Sequence, residues 1–232
     1  MIEAVLFDFG GTLDSDGVPW PQRFFAYYKE AGICVAWEPF LKAFYRSDDG
    51  LARRHRLQGL DLEGTVALQA AAVAAELAPD RPELGAAVAA RFAADSRAHF
   101  ARQRPMLERL GERFRLGIVS NFYGNLEGLL RAEGWAGLFG VVADSGVLGA
   151  TKPEPAIFRH ALDRLGVLPE RAFMVGDSLE RDIRGAERLG LSHALLRAGP
   201  EGAPPCCPAG RTVRTLAEME SLLPALRPGA AA

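Results

Sequence analysis

Four short stretches of this 232-residue chain carry residue types that handle anions and hard cations. FDFGGTLD, residues 7–14, sets Asp8 just ahead of Gly10, Gly11 and Thr12. It pairs a carboxylate with a backbone whose N–H groups can approach an anion closely, although a glycine-rich turn with an incidental acid reads the same way. SNFYGN, residues 120–125, offers the Ser120 hydroxyl and the Asn121 amide before a helix start, where a helix N-cap is the plainer reading. TKPEP, residues 151–155, places Lys152 ahead of a proline-initiated helix, and a lone lysine is ordinarily a solvated charge. GDSLERD, residues 176–182, holds Asp177 and Asp182 five residues apart. Paired acids of this kind suit a hard cation that takes oxygen ligands, while Asp182 alone would serve equally as a first-turn helix acid.

The elements that must position these groups follow from the hydrophobic pattern. Apolar runs at residues 4–9, 115–120, 140–143, 172–176 and 193–197 read as strands. Beyond residue 100 they alternate with helical patterns at 124–133, 154–165, 179–189 and 215–223, the rhythm of βαβ units around a parallel sheet. Pro153 and Pro155 open one helix, and Gly166 and Gly190 close two. The expected fold class is α/β, a doubly wound parallel sheet, with all four stretches at strand ends. Residues 15–100 contain almost no β-branched runs and read as an all-helical insert with turns at 48–50, 59–64 and 78–82. Such sheets bind ligands at the carboxyl ends of their strands, so an insert placed directly after the first strand would cover the site. The expected organisation is a core of residues 1–14 and 101–232 and an insert of residues 15–100. With junctions near 14–17 and 102–105, the insert is expected to move as a lid.

Composition narrows the function classes. The 27 Lys and Arg against 29 Asp and Glu leave a formal charge of −2, which excludes the electrostatic footprint of a dedicated nucleic-acid binder. A chain of this length buries roughly 70% of its surface and needs no disulfide or structural metal. The start of the chain carries Glu3 and Asp8 and lacks a signal-peptide pattern, and the apolar stretch at 64–75 is too short for a bilayer. Cys34, Cys206 and Cys207 show no metal-ligand spacing. A cytoplasmic location is expected, with no membrane or nucleic-acid partner and a monomeric or homodimeric state.

In their order, the four stretches resemble the motifs of the haloacid dehalogenase-like superfamily, and the resemblance extends from Ala4 to about Leu196. It implies a Rossmann-like core, with the helical insert as that family's cap at its first insertion point. It further implies that Asp8 is the nucleophile that becomes an aspartyl intermediate and that Lys152 neutralises nucleophile and transferring group. Ser120 and Asn121, with Gly11 and Thr12 of the first loop, would bind phosphate. Asp8, the Gly10 carbonyl, Asp177 and Asp182 would hold Mg²⁺. Phosphoryl transfer asks mainly for positioning and charge neutralisation, which this assembly supplies.

One position departs from the family pattern. Family phosphatases usually carry a second Asp two residues after the nucleophile, and here that position is Gly10. The general acid/base missing there is normally worth about 10²–10⁴ in rate, so alkyl phosphates are expected to react slowly unless Asp14, Asp16 or His55 supplies the proton. The reading that uses most of the residues is a Mg²⁺-dependent phosphohydrolase acting on a small phosphorylated metabolite. A 2-haloacid dehalogenase would also lack the second Asp but would leave the acidic pair idle, and a non-catalytic ligand-binding member is the third reading. In the insert, the run Arg53, Arg54, His55 and Arg56 reads as a solvated helix face, and Trp20, Phe24, Phe25, Tyr27 and Tyr28 read as cap core. Phe122 and Tyr123 are better placed to touch a substrate because they follow a strand end.

Overall fold

The computed structural model describes residues 1–198 and 211–223; Cys206 and Cys207 lie outside the described residues. Strand β1 (Ala4–Phe7) is apolar at every position and buried at every position, as a central strand covered on both faces must be. It pairs in parallel with β2 (Arg115–Ser120) on one side and β4 (Ala172–Gly176) on the other. β3 (Val141–Asp144), β5 (Ser192–Leu196) and β6 (Arg211–Val213) complete a parallel sheet in the order β3-β2-β1-β4-β5-β6. The chain builds outward from β1 in one direction to β3 and then in the other from β4. The order therefore reverses between β1 and β4, which opens a crevice at their carboxyl ends.

Successive strand residues point to opposite faces. Val5 and Phe7 join an apolar cluster continuous with the insert, whereas Ala4 and Leu6 join a second cluster with α8 (Pro155–Leu165). The segment between β1 and β2 is helical, as expected: α1 (Trp20–Glu30), α2 (Trp37–Asp49), α3 (Leu51–Arg54), α4 (Leu62–Leu77) and α5 (Glu83–Gly111). Phe24, Tyr28, Phe40, Phe44 and Phe92 fill its interior. Two local expectations give way. Residues 102–105, expected as a junction, lie inside α5, whose 29 residues continue through Pro105. At about 1.5 Å per residue this helix is a rod of about 44 Å, packed on α4 at one end and on β2 at the other. Residues 179–189, expected as one helix, divide into a wide turn at Leu179–Ile183 and α9 (Arg184–Glu187). The remaining α-helices are α6 (Leu126–Ala132), α7 (Ser145–Leu148) and α10 (Leu216–Leu222), with single helical turns at Phe9–Leu13 and Pro169–Arg171. Among the described residues no helix is long and apolar enough to cross a membrane.

Candidate active site

Asp8 follows the last residue of β1, Ser120 ends β2, and Asp177 follows the last residue of β4. The register of adjacent parallel strands therefore delivers the three to one edge. Lys152 arrives from the loop after α7, held by a reciprocal clamp: its N–H donates to Asn121 Oδ1 at 2.7 Å, and Asn121 Nδ2 donates to its carbonyl at 3.1 Å. Lys152 Nζ then lies 2.6 Å from Asp8 Oδ1 and 2.6 Å from Asp182 Oδ1, with all three side chains buried. Burial disfavours the ammonium, but Asp182 and Asp8 outweigh it, so the Lys152 pKa stands above its ordinary value. Ser120 Oγ donates to the same Asp8 Oδ1 at 3.1 Å. Among the described residues Asp8 Oδ2 has only the Thr12 hydroxyl, at 3.5 Å, and is the less committed oxygen.

Asp8, Asp177 and Asp182 bring one carboxylate oxygen each to within 4.8 Å of one another. Burial, then the charges of Asp8 and Asp182, push Asp177 well above the carboxylate range, and burial likewise raises Asp182 against the pull of Lys152. Asp182 is satisfied: besides Lys152 it accepts the Ser178 N–H at 2.9 Å, through Oδ2. Asp177 Oδ1 is buried with no hydrogen-bond partner among the described residues. A buried carboxylate oxygen without a partner, beside two further carboxylates, is the donor set a hard divalent cation completes. Two glycines allow this crowding. A Cβ on Gly11, whose φ is +91°, would meet Asp177 Oδ2 at 2.4 Å, and one on Gly176 would meet Asp182 at 2.3 Å.

The remaining expected residues are placed as follows. The Gly11 N–H donates to Asp14 Oδ1 at 2.7 Å, and Thr12 is fully buried, so both support the loop from behind. Gly10 lines the cleft; its φ of −77° is open to any residue, yet a Cβ there would lie 3.0 Å from Trp20 Nε1. A side chain at this position would therefore press on the Trp20 indole, which would have to give by a few tenths of an ångström. None of the three candidate proton donors reaches the cleft. Asp14 is fully buried, accepting from Trp20 Nε1 at 2.8 Å and from Arg23 Nη1 at 2.7 Å. Asp16 accepts from Gln103 Nε2 and the Leu216 N–H, and His55 caps the end of α3. Asp14 is an anchor between the first loop and α1. Asp14→Ala is expected to cost about 3 kcal/mol, read by urea unfolding, because it strands a buried guanidinium. A loss below about 1 kcal/mol would show that Asp95, also bonded to Arg23, holds that charge unaided.

Two charged lining residues had no role assigned from the sequence. Arg181 sits within GDSLERD and faces the cleft; the charges of Asp8, Asp182 and Asp177 overcome the effect of burial and raise its pKa. Asp48, near the end of α2, accepts a hydrogen bond from the Tyr123 hydroxyl and one from Gln69 Nε2 at 3.3 Å, and both land on Oδ1. Trp20, Phe44, Phe122 and Tyr123 give the cleft its apolar wall. Trp20 thus serves both insert core and cleft, and Phe122 and Tyr123 lie where a strand end should place them.

The family model for haloacid dehalogenase-like hydrolases matches residues 2–190. Haloacid dehalogenase-like hydrolase domain-containing protein 3 of Mus musculus is 39% identical over 112 residues, 48% of this chain and 42% of that one. Glyceraldehyde 3-phosphate phosphatase of Methanopyrus kandleri is 43% identical over 98 residues, 41% of this chain and 42% of that one. The chain thus spans less than half the length of these curated relatives. Among solved structures, a haloacid dehalogenase-type phosphatase from Thermococcus onnurineus is 28% identical and superposes with a TM-score of 0.54, covering 96% of this chain and 98% of its own.

Proposed function

Because this chain belongs to the haloacid dehalogenase-like hydrolase family, we propose that it is a Mg²⁺-dependent phosphohydrolase that transfers the phosphoryl group of a small phosphorylated metabolite to Asp8 and then to water. The observation that carries this reading is the buried, unpartnered Asp177 Oδ1 beside Asp8 and Asp182. Displacement of halide from carbon by a bare carboxylate has no use for it. The relatives named as phosphatases support the same choice.

Asp8 attacks phosphorus, with its less committed Oδ2 free to turn toward the cleft. Lys152 pairs with Asp8 and orients it, and Ser120 fixes the same carboxylate from the β2 side. Ser120 and Asn121 receive the phosphoryl oxygens, and Arg181 adds positive charge from the cleft wall. Asp8, Asp177, the Gly10 carbonyl and Asp182 would hold the magnesium ion, which when bound neutralises charge on the transferring group. Asp182 also keeps Lys152 in place, and the apolar wall excludes water from the first step.

Two measurements test this. Phosphorylation of Asp8 by acetyl phosphate, trapped by rapid quench, is expected with Mg²⁺ and lost in chelator; full turnover in chelator would defeat the metal assignment. Metal binding must also displace the proton that burial favours on Asp177. A carboxyl with a raised folded pKa gives stability that is complete below its unfolded value, about 3.9, and is lost as pH rises through the folded value. Mg²⁺ is therefore expected to raise the melting temperature more at pH 8 than at pH 5.5. Equal shifts would mean that the cation does not compete with that proton.

A further inference from the structure

We propose that Asp48, delivered by α2 from the insert, is the general acid and base of the reaction, taking the role that Gly10 leaves vacant. This rests on the phosphohydrolase reading above. Asp48 lines the same cleft as Asp8, and its two hydrogen bonds, from Tyr123 and Gln69, both fall on Oδ1. Oδ2 has no hydrogen-bond partner among the described residues. The family position beside Asp8 is Gly10 and brings no carboxylate, while Asp14, Asp16 and His55 are not among the cleft-lining residues, so Asp48 is the lining carboxylate outside the metal cluster. Tyr123 follows β2 by three residues and fixes Asp48 from the core, so the acid is assembled only where insert and core meet.

The surroundings suit a group that must carry a proton. Burial holds the Asp48 carboxyl above the ordinary carboxylate range, and the like charge of Asp49 adds to this. The Tyr123 hydroxyl, Arg181 and Gln69 pull the other way. Arg54, bonded to the Arg46 and Ser47 carbonyls, is the further charge near this end of α2. Tyr123 is raised well above its own ordinary value, chiefly by burial and then by Asp48, so it stays protonated and donates.

In the first step an Asp8 oxygen bonds to phosphorus as the P–O bond to the leaving group breaks. The departing oxygen takes that electron pair and the Asp48 proton. In the second, the Asp48 carboxylate takes a proton from water as the water oxygen bonds to phosphorus and the P–O bond to Asp8 breaks. Monoester and water become alcohol and inorganic phosphate, and both carboxyl groups return to their starting states.

The test compares kcat/KM with Mg²⁺ for p-nitrophenyl phosphate, phenyl phosphate and glycerol 3-phosphate in the wild type, Asp48→Asn and Tyr123→Phe. The wild type is expected to show a shallow dependence on leaving-group pKa. Asp48→Asn should lose about 10²–10⁴ on glycerol 3-phosphate and far less on p-nitrophenyl phosphate, whose leaving group needs no proton. Tyr123→Phe removes a bond that stabilises the carboxylate, so the alkaline limb of the glycerol 3-phosphate profile should move to higher pH. Equal losses on all three substrates, or an unmoved limb in Tyr123→Phe, would overturn the assignment while leaving the phosphohydrolase reading intact. Failure of the wild type to form a phosphoenzyme from acetyl phosphate would remove that reading, and the role of Asp48 with it.

Discussion

Asp8→Asn is expected to lower turnover by at least about 10⁴-fold, the scale on which loss of a covalent nucleophile shows, while the fold survives. The amide is nearly isosteric and can still accept from Ser120 and Lys152 through its oxygen, so the geometry at the end of β1 is kept. What it lacks is the charge and the free lone pairs that form a bond to phosphorus. Lys152 retains Asp182 as a charged partner, so the ammonium is not stranded. The check has two parts: circular dichroism and melting close to wild type, and no acid-stable phosphate on the protein after rapid quench with acetyl phosphate. A phosphoenzyme in this variant would place the nucleophile elsewhere.

The parts of this site that the sequence displayed are those tied to strand ends. Asp8, Ser120 and Asp177 each close an apolar run, so finding the runs locates the residues, and the parallel pairing of β1 with β2 and β4 brings them together. Lys152 and Asp182 could be named from motif order, but the 2.6 Å ion pair joining them spans 30 residues, a separation no periodicity reports. Asp48 was hidden for a related reason. It sits where a turn was expected, at 48–50, and its significance comes from Tyr123, 75 residues later. At Gly10 the backbone would accept a side chain, and what a side chain would press on is Trp20, ten residues away around a turn, a contact no spacing reports. In the fold, β6 escaped notice because three residues, one of them exposed, make no alternating pattern. α5 outran its expected end because packing on both α4 and β2 holds the helix through a proline that local propensity would use as a stop.

Lys152→Met should be the most informative second substitution, because it separates the electrostatics of the site from its packing. Methionine keeps most of the apolar stem and removes the one buried ammonium between Asp8 and Asp182. Those two, with Asp177, then form a cluster of buried carboxylates with Arg181 as a nearby cation. Breaking such a pair from one side costs about 3–5 kcal/mol while the carboxylates are ionised. Loss of a charge that neutralises the transferring group should also lower kcat by at least about 10²–10³. The pH dependence follows from the directions of the shifts. Asp177 and Asp182 already stand above their unfolded values, and removing Lys152 raises both further, since its charge is among the influences that lower them. A carboxyl raised in the folded state lends stability that is complete below its unfolded pKa of about 3.9 and is lost as pH rises through the folded value. The deficit of the variant should therefore be small near pH 4 and widen toward neutrality. Lys152 contributes in the wild type below its unfolded value and ceases to do so as pH rises through its own raised pKa, so the two proteins should converge again in strong alkali. Mg²⁺ should narrow the gap at pH 8 by restoring positive charge to the cluster, without restoring turnover. Urea unfolding across pH 4–9, with and without the cation, reads the widening deficit and its relief, and wild-type and variant stabilities above the Lys152 pKa read the convergence. A deficit independent of pH would mean that Lys152 holds the site together by its stem and not by its charge.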